Sequence, residues 1–346
     1  MRCSVVVSYL QAVVIALVQG VTELFPVSSL GHSVIVPAWF GGSWQTLVTQ
    51  SAQANSGSSF YLAFIVALHV STALALLWFF RADWIRIIAG FIRSARRSLR
   101  DRRFSAQGSD ERLAWLIVIA TIPVGLTGLL LEGTFRTIFA KPLAASIFLV
   151  INGLILLAGD RARRHAETAG TATGPAPRTR MPIAGGSPEL DAKPAVLAPS
   201  LRGPRSAEEL AEAYASDSRV SRLPYRDSVS VGLLQVLALL PGISRSGVTM
   251  VGGLWRGLDH EDAARFAFLL ATPPILAAGI LKLPTLFGHA GAHIHGQIAV
   301  GMLVTGVAAY LSVRYLVRYF KTRTLRPFAG YCLLVGGASV LRFTLL

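Results

Sequence analysis

Two stretches of the chain place polar and charged side chains inside otherwise apolar sequence. The first, residues 19–32, carries a glutamate, two adjacent serines and a histidine. The second, residues 241–247, carries Arg245 between two serines. Moving an unpaired hydroxyl or amide out of water costs about 2 to 7 kcal/mol, and a charge costs more, so these groups need partners or a function. An anion-binding guanidinium and an acid and base cluster together predict a phosphate site assembled from two distant segments.

Ser29 and His32 share one face of a helix if the segment after Pro26 is helical, and the imidazole can then reach the hydroxyl. That arrangement is typical of a nucleophile and its base. Glu23 is predicted to orient or protonate the imidazole, or to hold a divalent cation. Ser29 is preferred to Ser28 as the nucleophile because each residue turns a helix by about 100° and Ser28 lies one residue further from the histidine. Attack by metal-activated water is the alternative.

Arg245 presents a planar fork of donors that matches phosphate oxygens. Backbone donors of the turn around it can add to this binding, as they do in other glycine-rich and serine-rich turns. The residues predicted to bind substrate alongside it are Ser28, Gly242, Ser244, Ser246 and Gly247.

Other polar residues have plainer interpretations. His69 lies in an apolar span and is interpreted as a packed or helix-bridging histidine. Arg314 and Arg342 lie toward span ends, where long basic side chains extend to the interface. The histidines at positions 289, 293 and 295 are interpreted as part of an outer loop rather than as a metal tract.

The composition is that of a polytopic membrane protein. Of the 346 residues, 53% are hydrophobic and only 15% are charged, whereas soluble domains carry about 25% charged residues. The net charge of +15 comes from basic residues beside apolar spans, where they set membrane orientation. Nucleic acid is therefore not an expected partner. Cys3 and Cys332 lack metal-like spacing and are interpreted as small buried residues.

The hydrophobic pattern predicts an all-helical integral membrane protein with six full spans and two re-entrant hairpins. Each hairpin is too short to span and is interrupted by proline and glycine, which is tolerated at membrane depth only inside protein or a water-filled cavity. Three spans after each hairpin turn the second half upside down, so the two halves form an inverted repeat with a site near the midplane. The predicted hairpins are 8–40 and 229–258, and the predicted spans are 60–80, 113–131, 142–159, 263–281, 298–317 and 327–346.

The two predicted repeats, residues 1–160 and 229–346, are separated by an insertion at 161–228 that is rich in Ala, Pro, Gly and Arg. Such a composition predicts that most of the insertion is disordered and that most of residues 165–220 can be removed without loss of catalysis. One short helix is predicted within it, at 206–216.

Charge asymmetry predicts the orientation. The insertion and residues 81–112 are rich in arginine, which predicts a cytoplasmic location. Residues 41–59 and 283–297 contain no Lys or Arg, and we expect them to be external polar loops. The protein is therefore expected to be a multi-pass protein of the plasma membrane, with its site open to the external face.

The two stretches resemble the signature motifs of the undecaprenyl pyrophosphate phosphatase family, membrane enzymes associated with bacitracin resistance. Glu23, Pro26-Val-Ser-Ser-Leu-Gly-His32 and Pro241-Gly-Ile-Ser-Arg-Ser-Gly247 match nearly position for position and in the right order. The span pattern also fits nearly the whole chain outside the insertion. The resemblance implies that the essential residues are Glu23, Ser29, His32 and Arg245.

The resemblance also implies the reaction, which is removal of the terminal phosphate of undecaprenyl pyrophosphate to regenerate the lipid carrier for peptidoglycan building blocks. It implies a divalent cation, Mg²⁺ or Ca²⁺, held by Glu23 and Gln19. Many members have glutamate where this chain has Gln19, whose amide still offers a neutral oxygen ligand. The expected partners are the polyprenyl pyrophosphate lipid and the membrane, and a homodimer is a further hypothesis. The alternative from another class is a lipid flippase or transporter, which the inverted repeat itself suggests.

Overall fold

The computed structural model describes residues 7–53, 60–130, 141–172, 207–287 and 295–345. Within these ranges the chain forms helices and turns and contains no strand, so the predicted all-helical class is confirmed. The helices in chain order are α1 (Tyr9–Thr22), α2 (Ser29–Phe40), α3 (Gly42–Gln53), α4 (Phe60–Phe79), α5 (Arg81–Asp101), α6 (Ser109–Leu130), α7 (Pro142–Ala172), α8 (Ala207–Val220), α9 (Tyr225–Leu237), α10 (Arg245–Trp255), α11 (His260–Phe287), α12 (His295–Tyr319) and α13 (Arg326–Leu345).

The helices include several that are long and apolar enough to cross a membrane. Over the described residues there are five such helices, or six if α4 and α5, which meet at 86°, count as one bent span. The five are Ser109–Leu130, Pro142–His165, His260–Leu281, His295–Tyr319 and Arg326–Leu345. A helical membrane protein is therefore confirmed, and the first predicted span, 60–80, coincides with the 20-residue helix α4.

Each predicted hairpin consists of two short helices that flank a proline. Helices α1 and α2 lie on either side of Pro26, and α9 and α10 lie on either side of Pro241. None of the four has the roughly 20 residues that a full crossing requires. Ser28 and Ser244 are the N-caps of α2 and α10, and each hydroxyl accepts the backbone N–H three residues further on. These caps satisfy backbone donors that the chain breaks would otherwise leave unpaired.

The two halves interlock through close helix contacts. Helix α1 packs along α12, and α9 packs along α6. A Cβ on Gly20 would lie 2.7 Å from the carbonyl oxygen of Thr305, and one on Gly232 would lie 2.5 Å from that of Ala120. Small residues allow membrane helices to approach this closely. The first helix of each hairpin is therefore held by a long helix of the opposite half, and α7 and α13 pack together beside them.

Three segments predicted as loops contain helices. Residues 41–59 include α3, residues 81–112 include α5, and residues 161–228 include the end of α7 and the start of α9. Helix α8, also in the insertion, confirms the short helix predicted at 206–216. The polar and charged residues of these segments predicted loops, but an amphipathic helix such as α5 can carry many charges on the face that does not pack against other helices. The remainder of the insertion, 173–206, and residues 288–294 of the predicted loop 283–297 lie outside the described residues.

Buried ion pairs attach α8 to the rest of the bundle. Asp217 accepts from Arg265 of α11 at 2.7 and 2.9 Å and from Arg86 of α5 at 2.7 Å. Asp83 pairs with the same two arginines, at 2.9 and 2.8 Å. These pairs hold α8 against the bundle, while the prediction that most of residues 165–220 can be removed without loss of catalysis stays a prediction.

We expect Asp217→Asn to lower the thermal stability of the protein, because two buried guanidinium groups lose part of their countercharge. Removing one partner of a buried ion pair costs about 3 to 5 kcal/mol. The matched control is Asp101→Asn, whose partner Arg100 has a side chain that is 83% exposed, where ion pairs contribute little. Thermal unfolding of both variants in the same detergent measures the difference. Equal midpoints would show that this network does not hold α8.

Candidate active site

The breaks of the two hairpins lie directly against each other. The hydroxyl of Ser28 accepts the backbone N–H of Gly242 at 3.1 Å, in addition to that of Gly31 at 3.2 Å. A Cβ on Gly31 would lie 2.8 Å from the Cα of Gly242. No side chain therefore fits between the broken ends of the two hairpins, which are called the first and second tips below. Ser28 has φ of +70°, a conformation that costs a residue with a Cβ about 1 to 2 kcal/mol. The two hydrogen bonds to its hydroxyl offset this cost and join the two segments.

Asn152, which is buried in α7, ties the breaks together a second time. Its Oδ1 accepts the backbone N–H of Ser244 at 3.0 Å, and its Nδ2 donates to the carbonyl of Pro26 at 3.0 Å. The hydroxyls of Ser244 and Ser246 lie 3.4 and 3.3 Å from the carbonyl of Phe25 and donate to it. These two serines, predicted to bind substrate, therefore also hold the second tip against the first.

Glu23 is the centre of the polar cluster, with a carboxylate that is only 6% exposed. Its Oε2 accepts a short hydrogen bond from the hydroxyl of Ser29 and a bond of 3.0 Å from Nε2 of Gln19, one turn earlier in α1. Nε2 of His69, from α4, lies 3.3 Å from the same oxygen. A buried carboxylate that accepts a serine hydroxyl is placed to take its proton. In this structure the Ser29 hydroxyl therefore pairs with the Glu23 carboxylate.

His32 lies elsewhere than predicted. Its Nδ1 is 2.7 Å from the carbonyl oxygen of Ser28, and its Nε2 is 2.9 Å from the hydroxyl of Tyr331 in α13. Both ring nitrogens are thus engaged, and the side chain is buried. The predicted pairing of Ser29 with His32 is wrong in this structure, because the Ser29 hydroxyl is directed to Glu23 instead. His32 anchors the first tip to the last helix.

Arg245 is the first residue of α10, next to its cap. Its Nε and Nη1 atoms are buried and have no hydrogen-bond partner among the described residues. The guanidinium interacts electrostatically with Glu23 and His69, which places it at the same cluster. An unsatisfied buried donor costs about 1 to 3 kcal/mol, more when it is charged, so these nitrogens are explained by a ligand that accepts from them. A phosphate group matches such a fork with two parallel hydrogen bonds.

Sequence reasoning did not assign His69, Asn152 or Tyr331 to this region, although its interpretation of His69 as a helix-bridging histidine agrees with the contact to Glu23. All three belong to helices far along the chain from the first hairpin, so no local spacing connects them to it. A signal did exist for two of them, because a histidine and an asparagine within apolar spans are costly unless they have a partner. Tyr331 carried no such signal, since tyrosines are common near the ends of membrane helices.

The residues present fit a divalent cation that is held only partly by protein. In the described part of the chain, no group of three or more His, Cys, Asp and Glu residues forms a cation site. However, Oε1 of Gln19 is buried without a hydrogen-bond partner in those ranges, one helical turn from the Glu23 carboxylate. Mg²⁺ is often bound by one or two carboxylates together with substrate phosphates and waters. An amide oxygen and one carboxylate are consistent with that arrangement.

Comparison with known proteins covers nearly the whole chain. The family model described as bacitracin resistance protein BacA matches residues 12–182 and 202–338, which include both polar stretches, 19–32 and 241–247. The chain is 57% identical to undecaprenyl-diphosphatase 2 of Frankia alni, over 98% of each chain. It is 54% identical to the undecaprenyl-diphosphatase of Mycobacterium avium, over 96% of each. It is 38% identical to undecaprenyl-diphosphatase 2 of Chromobacterium violaceum, over 96% of this chain and 98% of that protein.

We expect Gly242→Ala to prevent correct assembly of the two tips. Gly242 has φ of +107°, and an added Cβ would lie 2.3 Å from the carbonyl oxygen of Ala145. The matched control is Gly257→Ala, which has φ of +90° but nothing within 4 Å of its added Cβ. Both variants suffer the same kind of backbone strain, so the difference between them reports the steric clash alone. Size-exclusion profiles and thermal unfolding in detergent measure it, and similar behaviour of the two variants would contradict the close packing of Gly242 against α7.

Proposed function

The chain belongs to the BacA family, and on that basis we propose that it hydrolyses the terminal phosphate of undecaprenyl pyrophosphate, which yields undecaprenyl phosphate and inorganic phosphate. The product is the lipid carrier for peptidoglycan building blocks, so the reaction returns this carrier to cell-wall synthesis. One observation carries the assignment to this site. Arg245 has two buried nitrogens without partners in the described residues, next to a carboxylate that accepts the hydroxyl of Ser29.

Arg245 is suited to hold the pyrophosphate. Its fork can donate two parallel hydrogen bonds to oxygens of the terminal phosphate, which fixes the orientation of the phosphorus. In a site from which water is largely excluded, the guanidinium also stabilises the charge that develops on the transferred phosphoryl group. The hydroxyls of Ser244 and Ser246 already donate within the protein, whereas Nε and Nη1 of Arg245 have no partner in the described residues and can donate to the substrate.

Ser29 is the attacking group in this proposal. Its Oγ attacks the terminal phosphorus, its proton moves to Glu23, and the bond from that phosphorus to the bridging oxygen breaks. Undecaprenyl phosphate then leaves, and the enzyme retains a phosphoserine. A water molecule attacks the phosphoserine, its oxygen bonds to phosphorus, and the proton held by Glu23 returns to the departing Ser29 oxygen. The base is therefore Glu23, while His32 keeps the tip in position through Tyr331.

A divalent cation, Mg²⁺ or Ca²⁺ by resemblance, would be held by the Glu23 carboxylate and by Oε1 of Gln19. When bound, such an ion would neutralise part of the negative charge on the phosphate oxygens. Support for this assignment comes from the unpartnered Oε1.

The inverted repeat and the re-entrant character of the hairpins belong to the same proposal. Corresponding helices of the two halves make corresponding contacts. The first helix of each hairpin, α1 or α9, packs along a long helix of the opposite half, α12 or α6, and the last helices of the two halves, α7 and α13, pack against each other. This pattern supports a twofold relation between the halves, with both tips at membrane depth. The arginine distribution supports a site that opens to the external face of the plasma membrane. The homodimer stays a prediction.

The assignment is tested by phosphate release from the purified protein in detergent, where transport without hydrolysis would release none. We expect release from undecaprenyl pyrophosphate and at least a tenfold loss in Arg245→Lys, because an ammonium cannot reproduce two parallel hydrogen bonds. The matched control is Arg256→Lys at the other end of α10, whose side chain is 41% exposed and pairs with Asp227. Absence of release by the folded wild-type protein would refute the function, and full activity of Arg245→Lys would exclude a forked contact.

We expect Ser29→Ala to abolish turnover while binding of the lipid substrate survives, since the hydroxyl forms the bond to phosphorus. The control is Ser33→Ala, one turn further along α2, whose buried hydroxyl bonds only to the carbonyl of Ser29. Initial rates of phosphate release and lipid binding are measured on the same preparations. If Ser29→Ala kept more than about a tenth of the wild-type rate, which is a barrier change below roughly 1.4 kcal/mol, the attacking group would be water instead.

A further inference from the structure

The orientation of the His69 ring leaves an unexplained contact with Glu23. Nδ1 of His69 lies 2.8 Å from the carbonyl oxygen of Ile65, and a carbonyl can only accept, so Nδ1 carries the hydrogen. In a neutral imidazole the other nitrogen, Nε2, then presents a lone pair. This lone pair faces Oε2 of Glu23 at 3.3 Å. Two acceptors that face each other at this distance need a positively charged particle between or beside them.

Gln19 adds a third acceptor, its amide oxygen, to this pair. Its Oε1 is buried and has no hydrogen-bond partner in the described ranges, while its Nε2 lies 3.0 Å from the same oxygen of Glu23. The nitrogen and oxygen of an amide exchange places by a half-turn of the side chain. That rotation brings a carbonyl oxygen to within 3.0 Å of the carboxylate, on the helix that already carries both residues.

The spacing of these atoms is that of ligands around one ion. Adjacent ligands in an octahedral shell with bonds of about 2.1 Å are separated by about 3 Å. The distances of 3.0 Å from Gln19 to Glu23 and of 3.3 Å from His69 to Glu23 agree with that separation. The bond from Nδ1 to the Ile65 carbonyl is also the usual support of a metal-bound histidine, because it fixes the tautomer and the direction of the ring.

We propose that His69 is a ligand, through Nε2, of the divalent cation held by Glu23 and Gln19. This assignment of His69 rests on the proposed function in one respect, the presence of a divalent cation, and does not depend on the chemistry of hydrolysis. A nitrogen ligand among oxygens shifts the preference of the site from Ca²⁺ toward Mn²⁺ and Zn²⁺. Arg245 lies close enough to His69 and Glu23 to repel a cation, so we expect an anion that bridges the guanidinium and the ion to strengthen binding.

The probe is Mn²⁺, with inorganic pyrophosphate as the bridging anion and no lipid present. Binding to the full chain in detergent is titrated by continuous-wave electron paramagnetic resonance. Pulsed measurements then compare protein made with natural histidine and with ¹⁵N-labelled histidine. We expect the nitrogen modulation of bound Mn²⁺ to change from the ¹⁴N to the ¹⁵N pattern in the wild-type protein. This comparison needs no variant, so it does not depend on whether a substitution at position 69 folds.

His69→Gln identifies which histidine is bound. We expect it to lose the histidine modulation and to bind Mn²⁺ at least tenfold more weakly. The control is His260→Gln, since His260 pairs with Asp160 and contacts no residue of the site, and it should match the wild type. The proposal fails if labelled histidine leaves the modulation unchanged, if Mn²⁺ does not bind, or if His69→Gln keeps the signal. If a proton rather than a metal ion lies between His69 and Glu23, either labelled histidine will leave the modulation unchanged or Mn²⁺ will not bind. Since no hydrolysis is measured, failure of the proposed reaction would leave this readout intact.

Discussion

The contact between the two chain breaks is the constraint on which the rest of the structure depends. A helix that ends inside apolar surroundings leaves backbone donors and acceptors that apolar groups cannot satisfy. Here each break supplies what the other lacks, because the hydroxyl of Ser28 accepts from the backbone of Gly242 and Asn152 bridges Pro26 and Ser244. The glycines and capping serines of the motifs are thus structural requirements as much as chemical ones.

The polar residues at the tips differ in whether their side chains have hydrogen-bond partners within the protein. Ser244, Ser246, Asn152 and His32 have partners within the protein. In the described residues, by contrast, the guanidinium of Arg245 has two buried nitrogens without a hydrogen bond. Arg265 is buried too, yet it is paired with two aspartates. The two arginines therefore differ, since the protein neutralises Arg265 and gives two nitrogens of Arg245 no hydrogen bond within the described residues.

The bundle gives this arrangement its rigidity. Each hairpin packs against a long helix of the opposite half, and the approach is close enough that a methyl group at Gly20 or Gly232 would clash with backbone. Interiors packed in this way resist small displacements. A hydroxyl, a carboxylate and a guanidinium from separate segments can thus keep the alignment that phosphoryl transfer requires.

The sequence by itself determined the helical class, the two interrupted hairpins and the chemical groups of the site, because apolar length and breaks at proline and glycine are local properties. It did not predict the helices α3 and α5, whose polar composition conceals a packing face. It also paired Ser29 with His32, because helical spacing shows which residues share a face but not what lies opposite that face. Only the tertiary structure placed Glu23 against Ser29 and brought His69 and Tyr331 to the tips. Contacts between residues as far apart as His32 and Tyr331 depend on how whole helices pack, which no local pattern records.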